Sequence, residues 1–479
     1  MTEYVSTRGQ GGKIGYGEAI MQGLAPDRGL YVPGDYPRVD QEFISSLRGR
    51  PYAELFTEIN SLFVGDEITM NEQRLLAEAA YSSEKFPDAN KGDVTPVTWL
   101  TDRIAIEQLS LGPTAAFKDM ALQPLGQHLN HVLNSRGETL RMLGATSGDT
   151  GSSAEAAVKG LSRVSLTMLS PVTGMSRFQQ AQMAELSGGN ITNLSVDGRF
   201  DDCQDMVKAL KSMPEFADLG AVNSINWGRV AAQVPYYFSG YLQAVGEDIG
   251  KQVDFVVPSG NFGNVLAGYI AKKMGLPIRT LVVATNENSV TDTLIQTGVY
   301  ELPGGAQITS SPSMDITKAS NYERVLLDLM APDQARAYMQ QFEASGRVSF
   351  SDFDIPMDAL KQLGFDSGVS KHSDRLSAIK WAHDHGMLID PHTGDAVTVA
   401  RKIVEQRPDD TTPLICMSTA LPVKFEDTMQ EALDYTPGRP ERFIGLEERV
   451  KKLGTGGFAA VLKADDLDTL AYWVRNRTT

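Results

Sequence analysis

Val253-Asp254-Phe255-Val256-Val257-Pro258-Ser259-Gly260-Asn261-Phe262-Gly263-Asn264 reads as an apolar strand, a turn of small residues and the opening of a helix that continues to Met274. Five strand residues, too few for a helix and bounded by Pro and Gly, fit a strand buried on both faces. The same texture repeats outward. Downstream comes a strand over Arg279 to Ala284. Upstream, strands over Arg141 to Ala145, Arg163 to Leu169 and Ile191 to Val196 are followed by helices over Gly151 to Lys159, Met175 to Leu186 and Asp202 to Ser212. Strands alternating with helices of this length predict right-handed βαβ units and parallel sheets, an α/β fold. The texture returns at Leu414 to Met417, with a helix from about Lys424.

Outside this series the pattern changes. Residues 1–95 read as an N-terminal unit of short amphipathic helices, with Tyr52 to Val64 and Glu72 to Tyr81 the clearest. The α/β core is predicted over 96–430 and a mostly helical tail over 431–479. Within the core, Gln307 to Ser373 has weak periodicity, Ser-Pro turns and a helical stretch near Tyr322 to Met330, and reads as an insertion or a linker-rich subdomain.

Three loops share one design, a strand ending in small residues before a helix, which is where open α/β sheets bind ligands. In Gly112-Pro113-Thr114-Ala115-Ala116-Phe117-Lys118-Asp119 the lysine falls at a helix start, where partial positive charge opposes its own. That position predicts a lowered pKa, suited to condensation with an aldehyde. On this segment alone, Lys118 reads more readily as a surface lysine beside Asp119. Gly144-Ala145-Thr146-Ser147-Gly148-Asp149-Thr150-Gly151 offers hydroxyls and N–H groups to a carboxylate or phosphate, although Asp149 opposes an anion and the loop also reads as a capped turn. Ser259 to Asn264 lacks the Lys-Ser/Thr of a nucleotide loop and the spacing of a dinucleotide fingerprint, and best fits a phosphate monoester or a plain turn.

Composition removes other classes. The chain has 479 residues, 42% hydrophobic and 22% charged, with 60 acidic and 44 basic side chains and a net charge of -16, which argues against nucleic acid or anionic membrane as partner. Two cysteines, Cys203 and Cys416, are too few for a disulfide framework or a thiolate zinc site, and no metal is expected. Met1 to Gly15 is polar and Gly-rich, and no apolar run is long enough to span a bilayer, so a cytoplasmic location is expected. Gly454 to Lys463 imitates a kinase glycine loop, but 16 residues follow it, leaving no catalytic segment. His383-Asp384-His385 lies at a helix end, where alternate residues do not share a face to grip a metal.

Taken together and in this order, the three loops resemble fold-type II pyridoxal-phosphate enzymes, and the threonine synthase family in particular. The resemblance extends through Tyr4-Val5-Ser6-Thr7-Arg8-Gly9, Gln22 to Pro26, Gly29 to Pro33, Asn223-Ser224-Ile225-Asn226-Trp227, Ala284-Thr285-Asn286, Ile389-Asp390-Pro391-His392-Thr393 and Thr419 to Phe425. It implies a tryptophan synthase β-like catalytic core of two parallel α/β lobes. It makes Lys118 the lysine that carries pyridoxal 5'-phosphate and Gly260, Asn261, Phe262, Gly263 and Asn264 the phosphate cradle. Thr419 would face the pyridine nitrogen and Asp149 the phenolic oxygen. Thr146, Ser147 and Thr150 would hold the substrate carboxylate, and Asn226, Arg229 and Lys424 its phosphate. Leu421 departs from the family, where many members carry His.

The reaction so implied converts O-phospho-L-homoserine and water to L-threonine and phosphate, with Lys118 as general base, in a monomer or dimer. A phospho-lyase releasing 2-oxobutyrate and a serine/threonine dehydratase are alternatives on the same scaffold. A catalytically silent cofactor-binding regulator is the alternative outside enzymes.

Overall fold

The structure is a computed structural model that describes residues 2–90, 92–452 and 457–476. Met1 and Thr479, and Gly454, Thr455 and Gly456 of the kinase-like stretch, lie outside the described residues. Two sheets carry the core. The larger has the order Phe365–Val369, Ile278–Thr285, Val253–Pro258, Leu414–Met417, Ile104–Glu107, Val97–Trp99. All neighbours run parallel except Val97–Trp99, which pairs antiparallel with Ile104–Glu107. The smaller sheet is parallel throughout, in the order Ala460–Lys463, Ile191–Asp197, Val164–Pro171, Leu140–Ala145, Gly220–Ala221.

Strand composition accounts for the layering. Phe255, Val257, Leu281, Val283, Ile415 and Met417 face the core shared with the N-terminal helices, while Val256, Val282, Leu414 and Cys416 face the helices His372–Asp384 and Pro391–Gln406. Alternate residues thus fill opposite cores, and each fully buried Val, Leu or Phe contributes about 1.5–3 kcal/mol. Cys203 and Cys416 are free and buried in separate cores. The N-terminal segment packs into the same core as the larger sheet: the Trp227 indole donates to Tyr4 (2.9 Å), whose hydroxyl donates to the Phe63 carbonyl (2.7 Å). Its Arg8 is pinned by Glu323 (3.0 Å) and Glu343 (2.8 Å).

Helix Tyr52–Val64 and strand Leu414–Met417 fall where the sequence places them. Three expectations need correction. The stretch Gln307 to Ser373 contains Phe365–Val369, an edge strand of the larger sheet, not merely an insertion. Its Phe-Asp-Ser-Gly-Val sequence lacks an apolar run because only one edge is paired, and Gly368 is needed where Val399 packs against it. The helix near Tyr322 is a single turn, Glu323–Leu326, and the longer helix in this region is Pro332–Ser345. The tail contributes a strand, Ala460–Lys463, that extends the smaller sheet, a strand hidden beside the glycine run.

No helix among the described residues is long and apolar enough to cross a membrane.

Candidate active site

The three loops and the Thr419 turn all follow the C-terminal ends of parallel strands, so the chain brings them to one edge of the two sheets. Lys118 is the N-cap of helix Asp119–Arg136. The loop before it is braced from within: Asp119 accepts from the Thr114 N–H (2.8 Å) and hydroxyl (2.7 Å). From outside, Phe117 N–H donates to the Thr419 carbonyl (2.8 Å) and Leu421 N–H to the Ala115 carbonyl (3.0 Å), zipping the Lys118 loop to the Thr419 turn. Leu421 serves here through its backbone.

The Lys118 side chain is only 12% exposed, and among the described residues its ammonium pairs with Asp149 Oδ2 at 3.9 Å. Its pKa falls to about 8, chiefly through burial, with Arg229 and Lys424 adding repulsion and Asp149 opposing them. The pKa is lowered, as expected for a lysine at a helix start, but burial is the leading cause.

Asp149 is the hub. Its Oδ1 accepts from Lys424 (2.8 Å) and the Gln179 amide (2.9 Å), and its Oδ2 from the Ser313 hydroxyl (3.1 Å). Burial alone would raise its pKa, but Lys424, Lys118 and these donors hold it well below the usual carboxylate range. Gly148 makes this possible: its φ is +143°, and a side chain there would run into the Gln179 amide.

The Ser259 to Asn264 loop ends in Phe262, a non-glycine residue at φ +63° that caps helix Gly263–Met274. Its ring is buried against Tyr322 and Phe365, which holds the backbone in that conformation. The first bond down the helix is Leu266 N–H to the Phe262 carbonyl, so the N–H groups at the helix start are directed outward. A Cβ on Gly260 would press on Met314 and Ile316 at 3.2 and 3.3 Å. Two contacts link this loop to the lysine. Gly260 abuts the Ser313 segment, and Ser313 bonds Asp149 beside Lys118.

Several expected side chains are occupied elsewhere. The Asn264 carboxamide oxygen accepts from Tyr236 and Tyr237 (2.7 Å each), which leaves its backbone and its amide NH2 to face the cradle. Asn226 caps its own helix through Gly228 N–H and donates to the Ile20 carbonyl. Thr146 Oγ1 accepts from Gly148 and Gly151 N–H, bracing the loop from within. Lys424 is fully buried on Asp149. Ser147 is exposed and Thr150 half-buried at the mouth of helix Asp149–Val158. Thr419 is buried, its N–H and carbonyl bonded and its hydroxyl unengaged by any described side chain.

Arg229 stands out. It is 6% exposed, donates to the Asn223 carbonyl (3.0 Å), and has no carboxylate partner among the described residues. Burial lowers its pKa to about 10. A desolvated guanidinium without a counter-charge is a ready anion receptor. Gln179, Ser313, Asp390 and His392 had no assigned role in the sequence reading. Of these, only Asp390-Pro391 carried a legible signal, a helix cap followed by proline.

Three family models match the chain: Threonine synthase N terminus over residues 3–81, Pyridoxal-phosphate dependent enzyme over 94–416, and Threonine synthase, C-terminal over 393–457. A threonine synthase of Methylobacillus glycogenes is 48% identical over 457 residues, spanning 93% of this chain and 95% of the relative. The chain belongs to the threonine synthase family. The Corynebacterium glutamicum threonine synthase is 46% identical, spanning 93% of each chain. A crystal structure of pyridoxal-phosphate-bound threonine synthase from Brucella melitensis superposes with a TM-score of 0.90 at 36% identity, covering 99% of both chains. The fold is therefore that of the fold-type II enzymes, the cofactor is pyridoxal phosphate, and the activity is that of a threonine-synthase lyase.

The residues present fit that cofactor. A buried amine short of hydrogen-bond partners meets an aldehyde's needs, and outward N–H groups at a helix start meet those of a phosphate. Among the described residues there is no His, Cys or acidic cluster that could hold a metal.

Proposed function

We propose that the chain converts O-phospho-L-homoserine and water to L-threonine and phosphate, and that Lys118 is both the cofactor attachment point and the base at the substrate Cα. The observation that carries this reading is the Lys118 amine, buried and 3.9 Å from Asp149. Pyridoxal phosphate, when bound, supplies an electron sink for the bonds at Cα. The backbone of Gly260, Asn261, Phe262, Gly263 and Asn264 would hold its phosphate, Thr419 would offer a hydroxyl to its ring nitrogen, and Asp149 would face its phenolic oxygen.

A lysine that loses its proton near 8 rather than 10.5 holds about 300 times more free amine at neutral pH. Lys118 therefore takes the Cα proton and keeps it for return. Ser147 and Thr150, at a helix N-terminus and with hydroxyls that no described residue engages, orient the α-carboxylate. Arg229 holds the leaving phosphate, the role its missing counter-charge suits. Asn226, Thr146 and Lys424 act one step back, fixing the backbone and Asp149. The two free, buried cysteines suit a reducing cytoplasm, which we propose as the site of action.

Product analysis tests the reading. Purified protein given O-phospho-L-homoserine should release threonine and phosphate in equal amounts. 2-Oxobutyrate without threonine would reassign it as a phospho-lyase, and no phosphate release would make it a silent binder.

A further inference from the structure

Asp149 is gripped by two arms, and one imidazole supports both. On one arm, the Ser313 hydroxyl donates to Asp149 Oδ2 (3.1 Å), while the Ser313 N–H donates to His392 Nε2 (3.0 Å). On the other, Lys424 donates to Oδ1, and the ring of the next residue, Phe425, meets the His392 ring edge-on at 4.8 Å. A ring nitrogen that accepts an N–H carries no proton, so His392 Nδ1 is the protonated one. It donates to Asp390 Oδ2 at 2.7 Å. Asp390 Oδ1 accepts from the Thr393 hydroxyl and from Ala420 N–H (3.3 Å), and the Thr393 oxygen accepts from Thr419 N–H (3.1 Å). Asp390, His392 and Thr393 are all 1% exposed or less. A satisfied buried polar network of this kind fixes one arrangement of its surroundings.

We propose that the Asp390–His392 pair is a positioning device that keeps Asp149 from closing on Lys118. With Ser313 tethered to Oδ2 and the Lys424 turn backed by the imidazole, Asp149 stays at 3.9 Å from the lysine instead of hydrogen-bonding distance. A closer carboxylate would stabilise the ammonium and withdraw the free amine. The charged groups facing Lys118 are Asp149, Arg229, Lys424 and, on its own helix, Asp119. Those facing His392 are Asp390 and Asp395, from its own helix and cap. The inference deepens the proposed role of Lys118 and rests on it.

The test uses the full chain stripped of cofactor. The rate at which added pyridoxal phosphate condenses with the protein, followed by its visible absorbance from about pH 6 to about pH 10, reports the free amine of Lys118. The wild-type midpoint should lie near 8. Ser313→Ala and His392→Phe should each raise it by about half a pH unit, a roughly three-fold loss of free amine at neutral pH. His392→Gln, whose amide oxygen can accept the Ser313 N–H, should restore the wild-type midpoint. An unmoved midpoint in His392→Phe, or His392→Gln displaced as far as His392→Phe, would overturn the proposal. If His392→Phe does not fold, Ser313→Ala decides, and an unmoved midpoint there overturns it equally. A borohydride-fixed adduct on a different lysine would instead sink the role of Lys118, a failure seen before any midpoint is compared.

Discussion

Lys118→Met should make the cofactor-free protein more stable at neutral pH. An ordinary lysine loses its proton near 10.5 and Lys118 near 8, because the folded chain strips water from the ammonium and sets Arg229 and Lys424 beside it. At about 1.4 kcal/mol per tenfold change in acidity, that gap opposes folding by about 3 kcal/mol while the amine is charged. The sign follows from proton counting. Between pH 8 and 10.5 the unfolded chain binds more protons at this site than the folded one, so stability rises with pH across that window and the full penalty persists below it. Methionine keeps the length of the side chain and removes the charge. The variant should therefore exceed wild type by about 3 kcal/mol at pH 7, with the difference vanishing as pH approaches that of an ordinary lysine. Urea unfolding at several pH values, with coincident fluorescence and circular dichroism transitions, measures this directly. A Lys118→Met protein no more stable than wild type, or a difference that ignores pH, would refute the burial of a charged amine as the source of its reactivity.

Asp149→Asn leaves the Lys424 ammonium buried without a counter-charge and should cost about 3–5 kcal/mol. Combined with Lys424→Met, it should lose about 2 kcal/mol less than the sum of the single changes, and additivity in a urea double-mutant cycle would contradict the ion pair's place in the core. Because the Asp149 pKa is depressed on folding, its stabilisation should be complete above the unfolded carboxylate range and should fade as pH falls below it, a slope that Asp149→Asn removes. Arg229→Met should raise KM for the phosphorylated substrate by roughly 10–100-fold, the worth of a charge-assisted hydrogen bond, while leaving stability unchanged or improved; an unaltered KM would place the phosphate elsewhere. Gly240→Ala should destabilise by about 1–3 kcal/mol, since its methyl group would collide with the buried Glu107 carboxyl, and a neutral result in thermal unfolding would mean that this carboxyl can move aside.

The parallel strands were legible because burial on both faces leaves short apolar runs such as Phe255-Val256-Val257, and small-residue turns mark where each ends. Phe365–Val369 and Ala460–Lys463 were not, because edge strands pair on one side and need no such run. Lys118 was visible through its odd place at a helix start, and Asp149 as an acid in an anion-type loop. What could not be read was which polar atoms the fold had already engaged. Asn226, Thr146 and the Asn264 carboxamide oxygen carry suitable chemistry, yet each is taken by a cap, a turn or a tyrosine pair. Ser313 and Gln179 reach Asp149 from segments 164 and 30 residues away, and no local pattern announces such contacts.

The attachment of the cofactor bears most directly on everything proposed for the site. Protein loaded with pyridoxal phosphate, reduced with borohydride, digested and sequenced by mass spectrometry should carry the pyridoxyl group on the peptide containing Lys118, with none on Lys424. A label on any other lysine, with Lys118 recovered unmodified, would contradict the account.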